Sequence, residues 1–195
     1  MTDLYLVRHG RSQGNLNNLV TGDVNDPLLP ESEEQISAAM SSIELPVFDK
    51  YITTAWKRAK DTASIIDPNA DWLIERSLGE TDAGSVANNN LENFLSKYPN
   101  FYLDANNSYP DGESHICLKK RVIKWATELA PSSKKILVVT HSGPINILLH
   151  EAEDISMDKF PNYRLNNFCV SLIRIKSPRW HVEYINKSMR DIWNN

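Results

Sequence analysis

Residues 3–15 read DLYLVRHGRSQGN, and the fold follows from how that stretch is read. Leu4, Tyr5, Leu6 and Val7 form a short apolar run of strand formers that stops at Arg8-His9-Gly10. A run of this length ending in glycine and polar residues predicts a buried strand entering a loop. In an open α/β sheet, loops at the C-terminal strand ends converge on a crevice where ligands bind. The chain therefore sets a guanidinium, an imidazole and a glycine side by side at such an end. Arginine offers planar donors suited to phosphate or carboxylate. Histidine is a nucleophile, acid or base near neutral pH, and Gly10 lets backbone N–H groups approach an anion. Alone, an Arg-His-Gly tripeptide reads as a solvated turn, so the weight falls on the rest of the chain.

Working outward, residues 11–18 are polar and suit a short helix, and residues 21–27 carry loop chemistry punctuated by Gly22 and Pro27. Pro30 with Glu31, Glu33 and Glu34 predicts a helix start. Ile36, Ala39, Met40 and Ile43 supply its apolar face, and Pro46 is expected to close it. A second strand is expected within 47–53. Ala55, Ala59, Thr62, Ala63 and Ile66 then form a small-residue helical stripe, capped by Thr53 or Thr54. A third strand falls within 71–78 and one helix over 91–98, inside an otherwise irregular excursion over about 80–112. Leu118, Val122, Trp125 and Leu129 mark a helix over 113–129. KILVVT (135–140) is a buried strand followed by His141-Ser142-Gly143 and a helix through His150. Residues 168–176 and 179–185 read as an antiparallel hairpin turning at Ser177-Pro178. The alternation predicts an α/β protein: a three-layer α/β/α sandwich, mostly parallel, with an antiparallel C-terminal hairpin or edge strand, as one domain over 1–195. Two strand ends deliver a histidine into a small-residue turn, so His9 and His141 are expected to meet across a crevice.

Composition narrows the function. With 41% hydrophobic and 24% charged residues, the chain can bury a sizeable core and is not a disordered one. A net charge of −4 speaks against nucleic-acid or membrane-surface binding through bulk charge, so an anion must be caught by a local cluster. Cys117 and Cys169 make neither a disulfide framework nor a metal spacing and are expected to be buried thiols in a reducing compartment. The first strand begins too early for a signal peptide, and no apolar stretch approaches a membrane span, so a cytoplasmic protein is expected. His9, His115, His141, His150 and His181 show no HxxxH or HExxH spacing, and neither metal nor cofactor is expected.

In family order, the chain resembles the histidine phosphatase superfamily, the phosphoglycerate-mutase-like fold. Arg8-His9-Gly10 with Ser12 and Asn15 resembles its opening RHG-x-[ST]-x-x-N, and Thr21-Gly22 with Asp26-Pro27-Leu28 matches the loop that follows. Thr53-Thr54-Ala55-Trp56-Lys57-Arg58-Ala59 with Thr62-Ala63 resembles SSxxxRAxxTA. Leu78, Glu80 and Gly84 match the acid segment, Gly112-Glu113-Ser114 a GES step, and residues 138–143 the second-histidine motif.

The resemblance implies phosphomonoester hydrolysis through a phosphohistidine on His9. It implies that Arg8, Arg58 and His141 hold the phosphoryl oxygens, and that Glu80 protonates the leaving oxygen, with Asp82 the next candidate. Asn15, Thr21, Gly22, Ser142 and Gly143 would complete the phosphate and substrate contacts. A phosphate ester carries close to two negative charges, which suits such a cluster. Arg11 stands where the family often has glutamate, and is expected to favour substrates with a second anion. Trp56, Trp72 and Trp125 read as core aromatics, the 119–121 Lys-Lys-Arg run as a solvated helix face, and His115, His150 and His181 carry no role. A small phosphorylated metabolite is the expected partner, and oligomeric state is not readable. A phosphoglycerate-type mutase and a non-catalytic phospho-ligand-binding module are the alternatives.

Overall fold

The structure is a computed structural model and describes residues 1–20, 22–129, 134–176 and 179–193. Strand β1 (Thr2–Arg8) leads through α1 (Gln13–Leu16) to α2 (Pro30–Met40), β2 (Lys50–Thr53), α3 (Lys57–Ile66) and β3 (Trp72–Ile74). After a long excursion holding α4 (Leu91–Lys97) come α5 (His115–Leu129), β4 (Lys135–Thr140) and α6 (Ser142–Ala152). The chain then forms β5 (Cys169–Lys176), β6 (Arg179–Ser188) and α7 (Met189–Trp193). One sheet results, in the order β3-β2-β4-β1-β5-β6. β3, β2, β4 and β1 run parallel, and β5 and β6 are antiparallel additions. The expected sandwich with an antiparallel C-terminal pair is the fold found; the Ser177-Pro178 turn lies outside the described residues.

Period-two alternation in the central strands explains the layers. Leu4 and Leu6 of β1 join Ile136 and Val138 of β4 in a cluster with Leu118 and Val122 of α5 and Leu148 of α6. The intervening Val7, Leu137 and Val139 face the other way, onto Ile36 of α2 and Ala59 and Ala63 of α3. Leu6 and Val138 are fully buried, and a side chain of that size contributes roughly 1.5–3 kcal/mol by burial. Ala59 and Ala63 present α3 to the sheet with no bulk, so a larger residue there would overpack the interface. The excursion carries its own small core of Val20, Ala83, Phe94, Phe101 and Tyr109. Its two edges, 82–84 and 110–112, lie backbone against backbone: Ser85 N–H donates to Pro110 O and Glu113 N–H to Asp82 O, each at 2.9 Å. Gly84 sits at φ +52° there, and a Cβ on it would overlap Pro110 O, so this crossing requires glycine.

Several local expectations are corrected. α2 ends at Met40, well before Pro46. Neither Thr53 nor Thr54 caps α3: the N-cap is Trp56, with no side-chain bond, because the Thr54 hydroxyl is turned to His141. Cys117 is exposed and Cys169 half-buried, since Cys117 lies on the solvent side of α5. His115 and His150 are buried, and only His181 is exposed among the three histidines given no role. Among the described residues no helix is long and apolar enough to cross a membrane.

Candidate active site

The strand order brings the two histidines together. β1 and β4 are neighbours in register Arg8↔Thr140, so His9 and His141 leave adjacent strand ends. Their rings stand 5.1 Å apart. β2 flanks β4 in register Thr53↔Val139, which sets Thr54 beside His141. α3 starts just beyond and carries Arg58, fully buried, into the same space. Three parallel strands and one helix thus converge at one crevice.

The tautomer of His9 follows from its partners. Nδ1 lies 2.6 Å from Gly10 O, a carbonyl that can only accept, so Nδ1 carries the proton. Nε2 accepts from Arg58 Nε–H at 3.0 Å and therefore holds the lone pair. Burial, then the charges of Arg58 and Arg8, hold the His9 pKa well below the ordinary imidazole value, and the ring is neutral at neutral pH. His141 is pulled down for the same leading reason, burial, with Arg58 adding to it. Its Nε2 lies 3.0 Å from Thr54 Oγ1, which already accepts Trp56 N–H at 3.3 Å. With the Thr54 hydroxyl donating to Nε2, the His141 proton sits on Nδ1, the tautomer that gives this ring a free donor.

Around this pair, three buried nitrogens have no hydrogen-bond partner: Arg8 Nε, Arg58 Nη2 and His141 Nδ1. Buried donors left unpaired are rare and costly. Each guanidinium is anchored through Nη1: Arg8 Nη1 donates to Leu165 O, and Arg58 Nη1 to Asp23 O at 2.9 Å, with Asp26 Oδ2 at 3.5 Å. The Arg58 guanidinium also stacks 4.6 Å over Trp56, whose ring meets His141 edge-on at 5.1 Å. Trp56 is therefore part of the site's wall as well as a core aromatic.

Glu80 lies at the rim, half-buried. Its Oε2 accepts Gly143 N–H at 3.2 Å and its Oε1 accepts Thr81 N–H at 3.0 Å. A Cβ on Gly143 would overlap Glu80 Oε1, so glycine at the start of α6 is what admits the carboxylate. Asp82 is exposed and turned away, accepting Gly84 N–H at 2.9 Å. The segment bearing Glu80 is held by Arg121, whose Nη1 donates to Ser77 O and Gly79 O and whose Nη2 donates to Glu80 O. Arg121 also pairs bidentately with Glu113 at 2.5 and 3.2 Å. It is no solvated helix-face cation, and the Lys-Lys-Arg run gave no sign of this.

The remaining expected residues divide. Asn15 N–H donates to the cap Ser12 Oγ at 3.3 Å, and its Oδ1 accepts Asn167 Nδ2–H at 3.1 Å. Asn167 also donates to His9 O and Gly10 O, at 3.0 and 3.3 Å. Sequence reasoning missed Asn167, which stands in an unpatterned loop with no motif to single it out. Ser142 and Gly143 line a chamber beside Glu80, and Gly22 lines a separate polar depression with Trp56 and Arg121. Thr21 lies outside the described residues. Arg11 is not brought to the group: it is exposed, in a depression with Leu16, Leu29 and Glu31, and its carbonyl accepts Leu29 N–H at 3.0 Å. Among the described residues no three His, Cys, Asp or Glu side chains are grouped so as to hold a metal ion.

A neutral imidazole ringed by two guanidinia and a second imidazole, with a carboxylate at the rim, on this sheet defines an enzyme that handles phosphate esters. The chain belongs to the histidine phosphatase superfamily (branch 1), whose family model matches residues 4–188. It is 30% identical over 190 residues to an uncharacterized phosphatase, PhoE, of Bacillus subtilis, covering 95% of both chains. It is 32% identical over 169 residues to a 2,3-bisphosphoglycerate-dependent phosphoglycerate mutase of Cytophaga hutchinsonii, covering 80% of this chain and 79% of that one. Among solved structures, YhfR of Bacillus stearothermophilus superposes with a TM-score of 0.86 at 19% identity, covering 96% of this chain and 98% of that one.

Proposed function

We propose that this protein is a metal-independent phosphomonoester hydrolase working through a phosphohistidine on a small phosphorylated metabolite in the cytoplasm. The observation that carries this reading is the neutral His9, with its Nε2 lone pair amid three unpartnered buried nitrogens. A phosphoryl group has three non-bridging oxygens, and Arg8 Nε, Arg58 Nη2 and His141 Nδ1 are three donors for them. As these oxygens draw the Arg58 fork onto themselves, the His9 lone pair is released to attack phosphorus.

The first step forms the Nε2–P bond and breaks the P–O bond to the alcohol, whose oxygen takes a proton from Glu80. In the second, the Glu80 carboxylate takes a proton from water, the water oxygen bonds to phosphorus, and the N–P electrons return to Nε2. The Nδ1–H bond to Gly10 O holds through both, and it steadies the positive ring of the intermediate. Residues 80–112, within a single histidine-phosphatase-like domain, serve as the cover of the leaving-group side. Asn15 and Asn167 fix the loop of His9, and Ser142 and Gly143 border the leaving group.

The identity to a phosphoglycerate mutase supports a second reading, phosphoryl transfer back to a bound hydroxyl rather than to water. Release of inorganic phosphate decides between them. Hydrolysis of phenyl phosphate that survives exhaustive chelation and is inhibited by vanadate is the result expected. Loss of activity on chelation, restored by a divalent ion, contradicts the proposal; phosphate transfer without net release favours the mutase.

A further inference from the structure

The chamber beside Glu80 carries more information than a general phosphatase site needs. It holds about 200 Å³. Val20, Leu91, Tyr102, Tyr109, His115 and Phe160 line it, with Ser142, Gly143 and Glu80 also on its wall. No lysine or arginine among the described residues lines it. On the other side of Glu80, Arg76 and Arg121 line a separate depression, and Arg121 has its donors engaged by backbone carbonyls and Glu113.

His115 adds no positive charge. It is 4% exposed and stacks on Tyr102 with an interplanar angle of 15°. Phe160 lies 4.8 Å from its ring and Phe101 5.8 Å. Burial draws its pKa down to about 4, against a weaker pull upward from Glu113, so the ring is neutral at neutral pH. Tyr102 and Tyr109 share one hydrogen bond between their hydroxyls at 3.1 Å. Two phenols carry two protons and that bond uses one, so one O–H remains to donate. Burial raises the pKa of both, so they stay protonated.

A carboxylate or second phosphate on the leaving group would enter this chamber without a counter-ion and beside Glu80. An unpaired charge in such a place is strongly disfavoured. A planar neutral ring, by contrast, meets aromatic faces and edges, and ~150 Å³ of apolar cavity is already enough to take benzene. We infer that the chamber accepts an uncharged, ring-bearing alcohol, so that the enzyme's substrate class is phosphate monoesters of neutral aromatic alcohols rather than phosphorylated carboxylic acids or bisphosphates. This rests on the hydrolase reading above.

The test compares benzyl phosphate, glycerol 3-phosphate and 3-phosphoglycerate, whose alkoxide leaving groups all need a proton. Expected is kcat/KM at least tenfold higher for benzyl phosphate than for glycerol 3-phosphate, with 3-phosphoglycerate lowest. In Leu91→Lys the benzyl preference over 3-phosphoglycerate should shrink at least tenfold. A calorimetric arm uses His9→Ala, in which turnover is removed, and should show tighter binding of benzyl phosphate than of 3-phosphoglycerate. If no ester is hydrolysed yet this binding order holds, the hydrolase reading fails and the chamber assignment stands. Equal or tighter binding of 3-phosphoglycerate, or its faster hydrolysis, overturns the inference.

Discussion

Arg58 Nε donates to His9 Nε2 across 3.0 Å, so in the resting protein the proposed phosphate clamp holds the lone pair of the proposed nucleophile. On the proposed mechanism Arg58 has two tasks, orienting the ring and receiving phosphoryl oxygens. Lysine would keep the charge but supply neither the Nε donor nor a planar fork. Arg58→Lys should therefore lose ~10²–10³ in kcat/KM on phenyl phosphate, with the circular dichroism spectrum unchanged. A loss below threefold in a folded variant contradicts the role.

Glu80 and Gly143 form a second pair. Glu80→Gln should lower kcat far more on alkyl than on aryl phosphates, since a phenolate leaves without a proton and general acid catalysis contributes ~10²–10⁴-fold. Gly143→Ala should reproduce that asymmetry, because its Cβ takes the space of Glu80 Oε1. Equal losses on both substrate types in Glu80→Gln would move the proton donor elsewhere, with Asp82 the residue to test next.

Arg11 gives a prediction in the opposite direction. Its exposed side chain sits apart from the buried group, so a second anion on a substrate has no reason to reach it. The ratio of kcat/KM for substrates with and without that anion should be the same in wild type and Arg11→Gln, at low and moderate salt. A ratio that falls in the variant would restore the specificity role its sequence position suggested.

Acid should destabilise the protein through His115. Its folded pKa of about 4 lies below the unfolded value of 6.5, so the unfolded chain binds the proton first. Stability is then full above pH 6.5 and is lost as pH falls toward 4, by an amount of order 3 kcal/mol. His115→Gln has no such proton to take up. Urea unfolding from pH 7 to pH 4.5 should show a smaller loss of stability in the variant; parallel curves contradict the assignment.

What was legible in the sequence was the frame. The apolar runs 4–7 and 135–140 end in histidines, and short-range period and punctuation suffice to find two strand ends. That these ends are neighbours is a matter of strand order, which local pattern does not carry; the likeness of the two strand ends suggested only that their histidines meet. Contacts made over long sequence separation stayed hidden. Thr54 looks like a helix cap because cap residues are chosen by local chemistry, yet its hydroxyl serves His141, 87 residues on. Arg121 reads as one cation in a charged run, but the carbonyls it holds lie 41 to 44 residues earlier. His115 shows no motif at all; its place beside Tyr102 and Phe160 depends on how the excursion closes.

The most direct test of the account is the fate of the phosphoryl group itself. Enzyme quenched during turnover of phosphate-labelled phenyl phosphate should carry label that is labile in acid and stable in alkali, located on the Nε2 nitrogen of His9. The label should be absent from His9→Ala, which should remain folded and still bind vanadate more weakly. Label persisting in His9→Ala, or none in a wild-type enzyme shown to be turning over with a slow second step, would contradict a phosphohistidine at His9.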